Sequence, residues 1–209
     1  MAVQAWGFTP QEWSDAANAL PDPEVGGLIS WAMRAVEALH YLGDVDDRVF
    51  ADPERPAQGH PLQAVDLGHM TWACVTAITA LDRCAAAAWR IAVPRSRGLE
   101  KSVRDFGKPQ RRQMEENRRR LDPSALAWID GVLDDPAYTT VLRARNPMTH
   151  ARLRQMHFAV VSTKLAAHAE RSAFYVGARG AEVGSRALIE MATDLATRHV
   201  EGFMAEVIL

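Results

Sequence analysis

From Leu62 to Val93 the chain carries Trp72, Val75, Ile78, Leu81, Ala85 and Trp89 at helical spacing within a nearly continuous run of small and apolar residues, and Pro94 stops the run. A helix that is apolar almost all round has no face to give to water and must be surrounded by other elements. The segment is therefore expected to be the central helix of a bundle. No apolar run approaches the roughly 18 residues needed to cross a bilayer, and no basic and apolar leader opens the chain, so a soluble, cytoplasmic protein without a membrane association is expected.

The flanking sequence reads as further helices. Thr9-Pro10-Gln11-Glu12 is a capping box with proline at the first helical position, and Trp13, Ala16, Ala17 and Leu20 continue the helical period as far as Pro21. A second helix starts near Glu24, with Leu28, Trp31, Ala32, Ala35, Leu39 and Leu42 on its apolar side, and runs on towards Phe50. Three prolines and a glycine between Asp52 and Pro61 make a loop. Asp122-Pro123 and Asp135-Pro136 each open a helix, reaching to about Leu133 and Arg143, because Asp caps N-termini and proline suits the first turn. Ser185 is expected to cap a final helix with Leu188, Ala192, Leu195, Phe203 and Val207 on one side. The β-branched and aromatic residues at 158–163 and 174–176, with Gly177 and Gly180 before Val183, allow a small β-hairpin within 158–184. The segment 95–121 is basic, has few apolar anchors and is expected to be mobile. The fold class is all-α, a bundle of five or six helices forming one domain over 1–209.

A net charge of −2 hides strong internal polarity. Met1 to Met70 holds eleven acidic residues against three basic ones, whereas Arg90 to Arg120 holds eleven basic against four acidic. Arg143, Arg145, Arg152, Arg154 and Lys164 lie between Pro136 and Ala169 without an acid. Cys74 and Cys84 share one expected helix, about 15 Å apart along its axis, too far for a disulfide, and read as buried thiols. The six tryptophans read mainly as core residues.

One segment combines groups suited to phosphate chemistry. In Arg145-Asn146-Pro147-Met148-Thr149-His150, Asn146 and Pro147 read as N-cap and first residue of a new helix. His150 would then lie in the first turn, where the helix dipole disfavours imidazolium and leaves the ring able to accept a proton. Arg145 would stand just outside, with a planar fork of donors for two phosphate oxygens. Spacing alone is weak, because about one Arg-x4-His match is expected by chance in such a chain. Three occur, at Arg55 to His60, Arg145 to His150 and Arg152 to His157, and only the middle one joins an Asn after the Arg to a helix-start pattern.

At these residues the sequence resembles the HEPN superfamily (higher eukaryotes and prokaryotes nucleotide-binding), whose motif is Arg, four to six residues, then His, often with a polar residue after the Arg. The resemblance covers the motif and the helical outline. It implies a dimeric helical bundle, of the kind found among bacterial toxins and defence proteins, that brings Arg145 and His150 of both subunits to one RNA-cleaving site. Asn146 would support them, and no metal or cofactor would be needed. It also implies an antitoxin or regulatory partner. A branch with nucleotidyltransferase antitoxins has Tyr two positions after the His, where this chain has Arg152.

Arg143, Arg152 and Arg154, with Arg111, Arg112, Arg118, Arg119 and Arg120, are candidates for tracking an RNA backbone. The competing expectation for the second group is a solvated helical face in which Glu115 and Glu116 pair with arginines four residues away. Two other readings stand beside the nuclease. One is a catalytically silent assembly or regulatory module on the same fold. The other is a metal-binding bundle, because Glu37 with His40 and Asp66 with His69 place an acid and a His at i,i+3 on two expected helices.

Overall fold

The computed structural model describes residues 10–51, 60–94, 101–108, 112–149, 173–175 and 182–208. These form a predominantly helical bundle. In chain order they are α1 (Pro10–Asn18), α2 (Pro23–Ala51), α3 (His60–Ala92), a 3-10 turn (Val103–Phe106), α4 (Arg112–Arg118), α5 (Pro123–Asp134), α6 (Pro136–Thr149), the strands β1 (Ala173–Tyr175) and β2 (Glu182–Gly184), and α7 (Ser185–Phe203), which continues as a π turn (Met204–Ile208). The strands pair antiparallel, with Phe174 opposite Val183. The expected strand at 158–163 lies outside the described residues, as does Thr9 of the first capping box.

Three helix starts share one local cause. Asp22, Asp122 and Asp135 each precede a proline, and each accepts a hydrogen bond through Oδ1 from the backbone N–H two residues on, at 2.9, 2.9 and 2.8 Å. The carboxylate satisfies a first-turn donor that has no partner inside the helix, and proline loses nothing there because its missing N–H would be unpaired anyway. Ser185 behaves differently. It is the first residue of α7, it is buried, and its Oγ has no hydrogen-bond partner. The expected hydroxyl cap is absent.

Contacts divide the chain into two compact units, residues 1–35, 80–133 and 199–209 in the first and 36–79 and 134–198 in the second. Helices α2, α3 and α7 contribute to both. The first unit has a dry aromatic and aliphatic core. Trp128 packs edge-on against Phe203, with ring centres 4.9 Å apart, and its indole N–H donates to the His199 carbonyl at 2.7 Å. Burying the ring while bonding its one donor gives the full apolar gain without an unpaired polar atom. Trp89 lies 5.8 Å from the fully buried Phe106.

Phe106 and Val103, both 0% exposed, anchor residues 101–108, part of the segment expected to be mobile for want of such residues. The backbone N–H of Val103 donates to Asp82 (2.9 Å), and Asp105 accepts from both the N–H and the hydroxyl of Ser102. Arg118 completes the anchor. Its guanidinium donates to the Phe106 carbonyl at 2.7 Å and to both oxygens of Asp130 at 2.8 and 2.7 Å.

Two adjacent glycines in α2 give a clean contrast. A Cβ on Gly26 would sit 2.5 Å from the Ala17 carbonyl oxygen, whereas one on Gly27 would meet nothing within 4 Å. Ala in a helix interior is favoured over Gly by about 1 kcal/mol. Gly27→Ala is therefore expected to raise stability by up to about 1 kcal/mol in urea denaturation. Gly26→Ala should lower it despite the same propensity gain, because backbone must move to make room.

Candidate functional site

Of the candidate residues the structure describes, Glu37, His40, Asp66, His69, Arg143, Arg145 and Asn146 belong to the second unit and Arg112, Arg118, Arg119 and Arg120 to the first. On α6, Tyr138, Val141 and Ala144 are buried and hold the helix against the core. The helix runs through Asn146 and Pro147 to Thr149, so no helix begins at Asn146. This corrects the expected N-cap. The Asn-Pro pair has the local chemistry of a helix start, but the helix is already packed through Tyr138, Val141 and Ala144 when it reaches Pro147, which forfeits the bond to the Arg143 carbonyl without ending it. The argument for a neutral imidazole from first-turn N–H groups loses its basis.

Arg145 and Asn146 are half-buried, and the Nε of Arg145 is fully buried. Arg145 is not a free cation. Arg143, two residues earlier, is exposed. His150, Arg152, Arg154 and Arg111 lie outside the described residues.

The other expected RNA-contacting arginines divide by partner. Arg118 is committed to Asp130, which holds that carboxyl below the usual carboxylate range. Arg112 pairs with Glu116 at 3.0 Å and Arg119 with Glu115, both four residues apart on α4 or at its end. Those two pairs are the solvated face expected from the sequence, and such exposed pairs contribute little. Arg120 is exposed and stands beside Leu121, Asp122 and Ser124 at a cleft of about 620 Å³ in the first unit, with Ile91 and Val207 on its apolar side.

The four residues of the metal reading do not converge. Glu37 is exposed. His40 Nε2 lies 3.1 Å from Thr197 Oγ1, which already donates its own hydrogen to the Thr193 carbonyl at 2.9 Å. The His40 ring must therefore be the donor, protonated on Nε2, and burial lowers its pKa against the opposing influence of Asp194 and Asp44. Among the described residues no three His, Cys, Asp or Glu side chains are placed to hold a metal ion.

His69 pairs across helices with a residue the sequence reading passed over. Its Nδ1 is 2.9 Å from Oδ1 of Asp46, which is 0% exposed, while 19% of the His69 side chain reaches solvent. The other oxygen of Asp46 is 3.7 Å from Nη1 of Arg186. That guanidinium also meets Asp47 at 2.7 Å, Glu190 at 2.7 Å and the Gly43 carbonyl at 3.3 Å. Asp66, one turn before His69 on α3, is likewise 0% exposed. A carboxylate out of water is tolerated only when paired and hydrogen-bonded, and here a ring from α3 and a guanidinium from α7 do that for a carboxylate from α2.

A signal for these acids was present in the sequence. Asp46 continues the apolar positions Leu39 and Leu42, and Asp66 stands four residues before Met70, so both occupy core-facing positions of their helices. An acid on an apolar stripe announces a buried partner, although the sequence does not say which.

Of the tryptophans with described side chains, Trp89 and Trp128 are core residues as expected, whereas Trp31 and Trp72 are 42% and 47% exposed. Arg83 covers the Trp31 ring at 5.5 Å. Cys74 and Cys84 are free and buried, and burial pushes the Cys74 thiol up to about 12. No helix among the described residues is long and apolar enough to cross a membrane. No family model, curated protein or solved structure matches the chain.

Two outcomes are expected from this electrostatic arrangement. Asp46→Ala, which leaves Arg186 and His69 without their shared buried carboxylate, should cost about 3–5 kcal/mol in urea denaturation. In the first unit, Glu201 has a buried Oε1 with no hydrogen-bond partner, and burial raises its pKa above 4.5. A carboxyl with a raised folded pKa supports the fold fully below its unfolded pKa and loses that support as pH rises through the folded value. Glu201→Gln should therefore raise the melting temperature at pH 7, with the advantage vanishing below about pH 4.

Proposed function

We propose that this chain is a metal-independent endoribonuclease of the HEPN type, of the toxin or defence kind, working as a homodimer with Arg145 and His150 at the catalytic site. The observation that carries the reading is the placement of Arg145. It is half-buried, with Nε fully buried, beside Asn146 on a packed helix of an all-helical fold. A guanidinium held in this way loses little freedom when it meets a phosphate, so it can stabilise charge that gathers on phosphoryl oxygens during displacement.

His150 supplies proton transfer. Imidazole is the side chain that both takes up and releases a proton near neutral pH. It takes the proton of a ribose 2′-hydroxyl while that oxygen attacks the adjacent phosphorus. The second copy of His150, as imidazolium, protonates the departing 5′ oxygen. Exposed Arg143, with Arg152 and Arg154, supplies the salt-sensitive contacts to the RNA backbone. In the first unit Arg112, Arg118 and Arg119 are held by Glu116, Asp130 and Glu115.

A second reading is a catalytically silent assembly or regulatory module, to which an antitoxin or other regulatory protein would bind. It is favoured by α6 continuing through Asn146 and Pro147, which removes the helix start expected just before His150 and with it the local reason for a neutral ring.

Incubation of untagged protein with RNA in EDTA separates the two. The nuclease should leave 2′,3′-cyclic phosphate ends, and Arg145→Ala and His150→Ala should each lose about 10²–10⁴-fold in rate with dimerisation intact. Full activity in His150→Ala removes that residue from the mechanism. A dimer that binds RNA or protein without cutting supports the silent module.

A further inference from the structure

We propose that the first-unit cleft beside Arg120 binds a small amphipathic monocarboxylate, with the carboxylate on the Arg120 guanidinium and an apolar body along Ile91 and Val207. The site lies wholly within one unit and is independent of the nuclease reading.

Three elements make the cleft. The last turn of α3 supplies Ala88 and Ile91, the turn from α4 into α5 supplies Arg120 to Ala125, and the π turn after α7 supplies Val207. Its floor is apolar and dry, because Ala88, Leu121 and Ala125 are buried. Alanine at two of those positions leaves space that a larger side chain would fill. Ile91 stands differently, with 47% of its surface open. A branched apolar side chain left to water in a concavity is surface that a ligand gains by covering. The volume, about 620 Å³, falls in the range of about 300–1,000 Å³ typical of small-molecule sites.

Charge fixes the class of ligand. Of three consecutive arginines, Arg118 is held by Asp130 and Arg119 by Glu115, whereas Arg120 makes no ion pair among the described residues. Arg90, next to Ile91 in sequence, is taken by Asp22 and Glu24 at 2.8 and 3.1 Å. Asp122, the acid on the same wall, uses Oδ1 to accept from the Ser124 hydroxyl and N–H at 2.7 and 2.9 Å, and those bonds hold its carboxyl below the usual carboxylate range. It stays anionic and opposes a second negative charge on whatever Arg120 binds. The planar fork of a guanidinium matches one carboxylate in two parallel hydrogen bonds. A phosphate monoester, with a charge nearer two, fits less well beside Asp122.

Isothermal titration of the full chain with sodium octanoate tests the site, with 1-octanol and acetate as controls that lack the charge and the tail. Octanoate should bind saturably, one per chain, at least about tenfold more tightly than either control, and should raise the melting temperature. Arg120→Gln and Ile91→Ser change exposed side chains, so both should melt within a few degrees of wild type in the absence of ligand. Each should weaken octanoate binding by at least about fivefold. Wild-type protein that shows no saturable octanoate binding, or that binds 1-octanol or acetate to within that tenfold margin, overturns the proposal. So does an affinity that either variant leaves within the fivefold margin.

Discussion

Asp46 carries the constraint on which the second unit depends. It is a carboxylate with no access to water on a helix otherwise lined by Val36, Leu39 and Leu42. A lone charge in such a place is costly enough that its surroundings must answer it. His69 from α3 and Arg186 from α7 do so, and their geometry sets the register of both helices against α2 within that unit. The ion pair and the hydrogen bond add to the apolar packing and tie the three helices together at this level.

The two units illustrate different ways of organising a helical core. In the first, bulky rings at Trp89, Phe106, Trp128 and Phe203 fill space, and the indole N–H of Trp128 is bonded to a backbone carbonyl. In the second, the interior admits acids, a histidine and arginines. The half-buried Arg145 lies in the same unit.

Much of the architecture was legible in the residues. The long apolar helix, the Asp-Pro starts at Asp122 and Asp135, the final helix and the paired face of Glu115, Glu116, Arg112 and Arg119 all follow from local chemistry and period. Less legible were the points where distant residues decide. Asn146-Pro147 has the same local form as the Asp-Pro starts, yet α6, already packed through Tyr138, Val141 and Ala144, runs through it. Phe106 and Val103 appear sparse in a basic segment, but two fully buried side chains and one bidentate arginine are enough to fasten its described part. The i,i+3 spacing of Asp66 and His69 suggested a pair, whereas His69 turns to Asp46.

By itself the amino-acid sequence determined the helical class, most helix starts, the burial of both cysteines and the presence of an Arg-Asn-Pro-x-x-His segment in basic surroundings. These are properties of neighbours along the chain, fixed by dihedral preference, capping and the 3.6-residue period. Only the tertiary structure decided which acid holds His69, which arginines remain open to solvent and whether a helix stops at Pro147. Those outcomes turn on the free energy of burying charge and packing side chains from remote segments, and no local rule contains the distance between residues 46, 69 and 186.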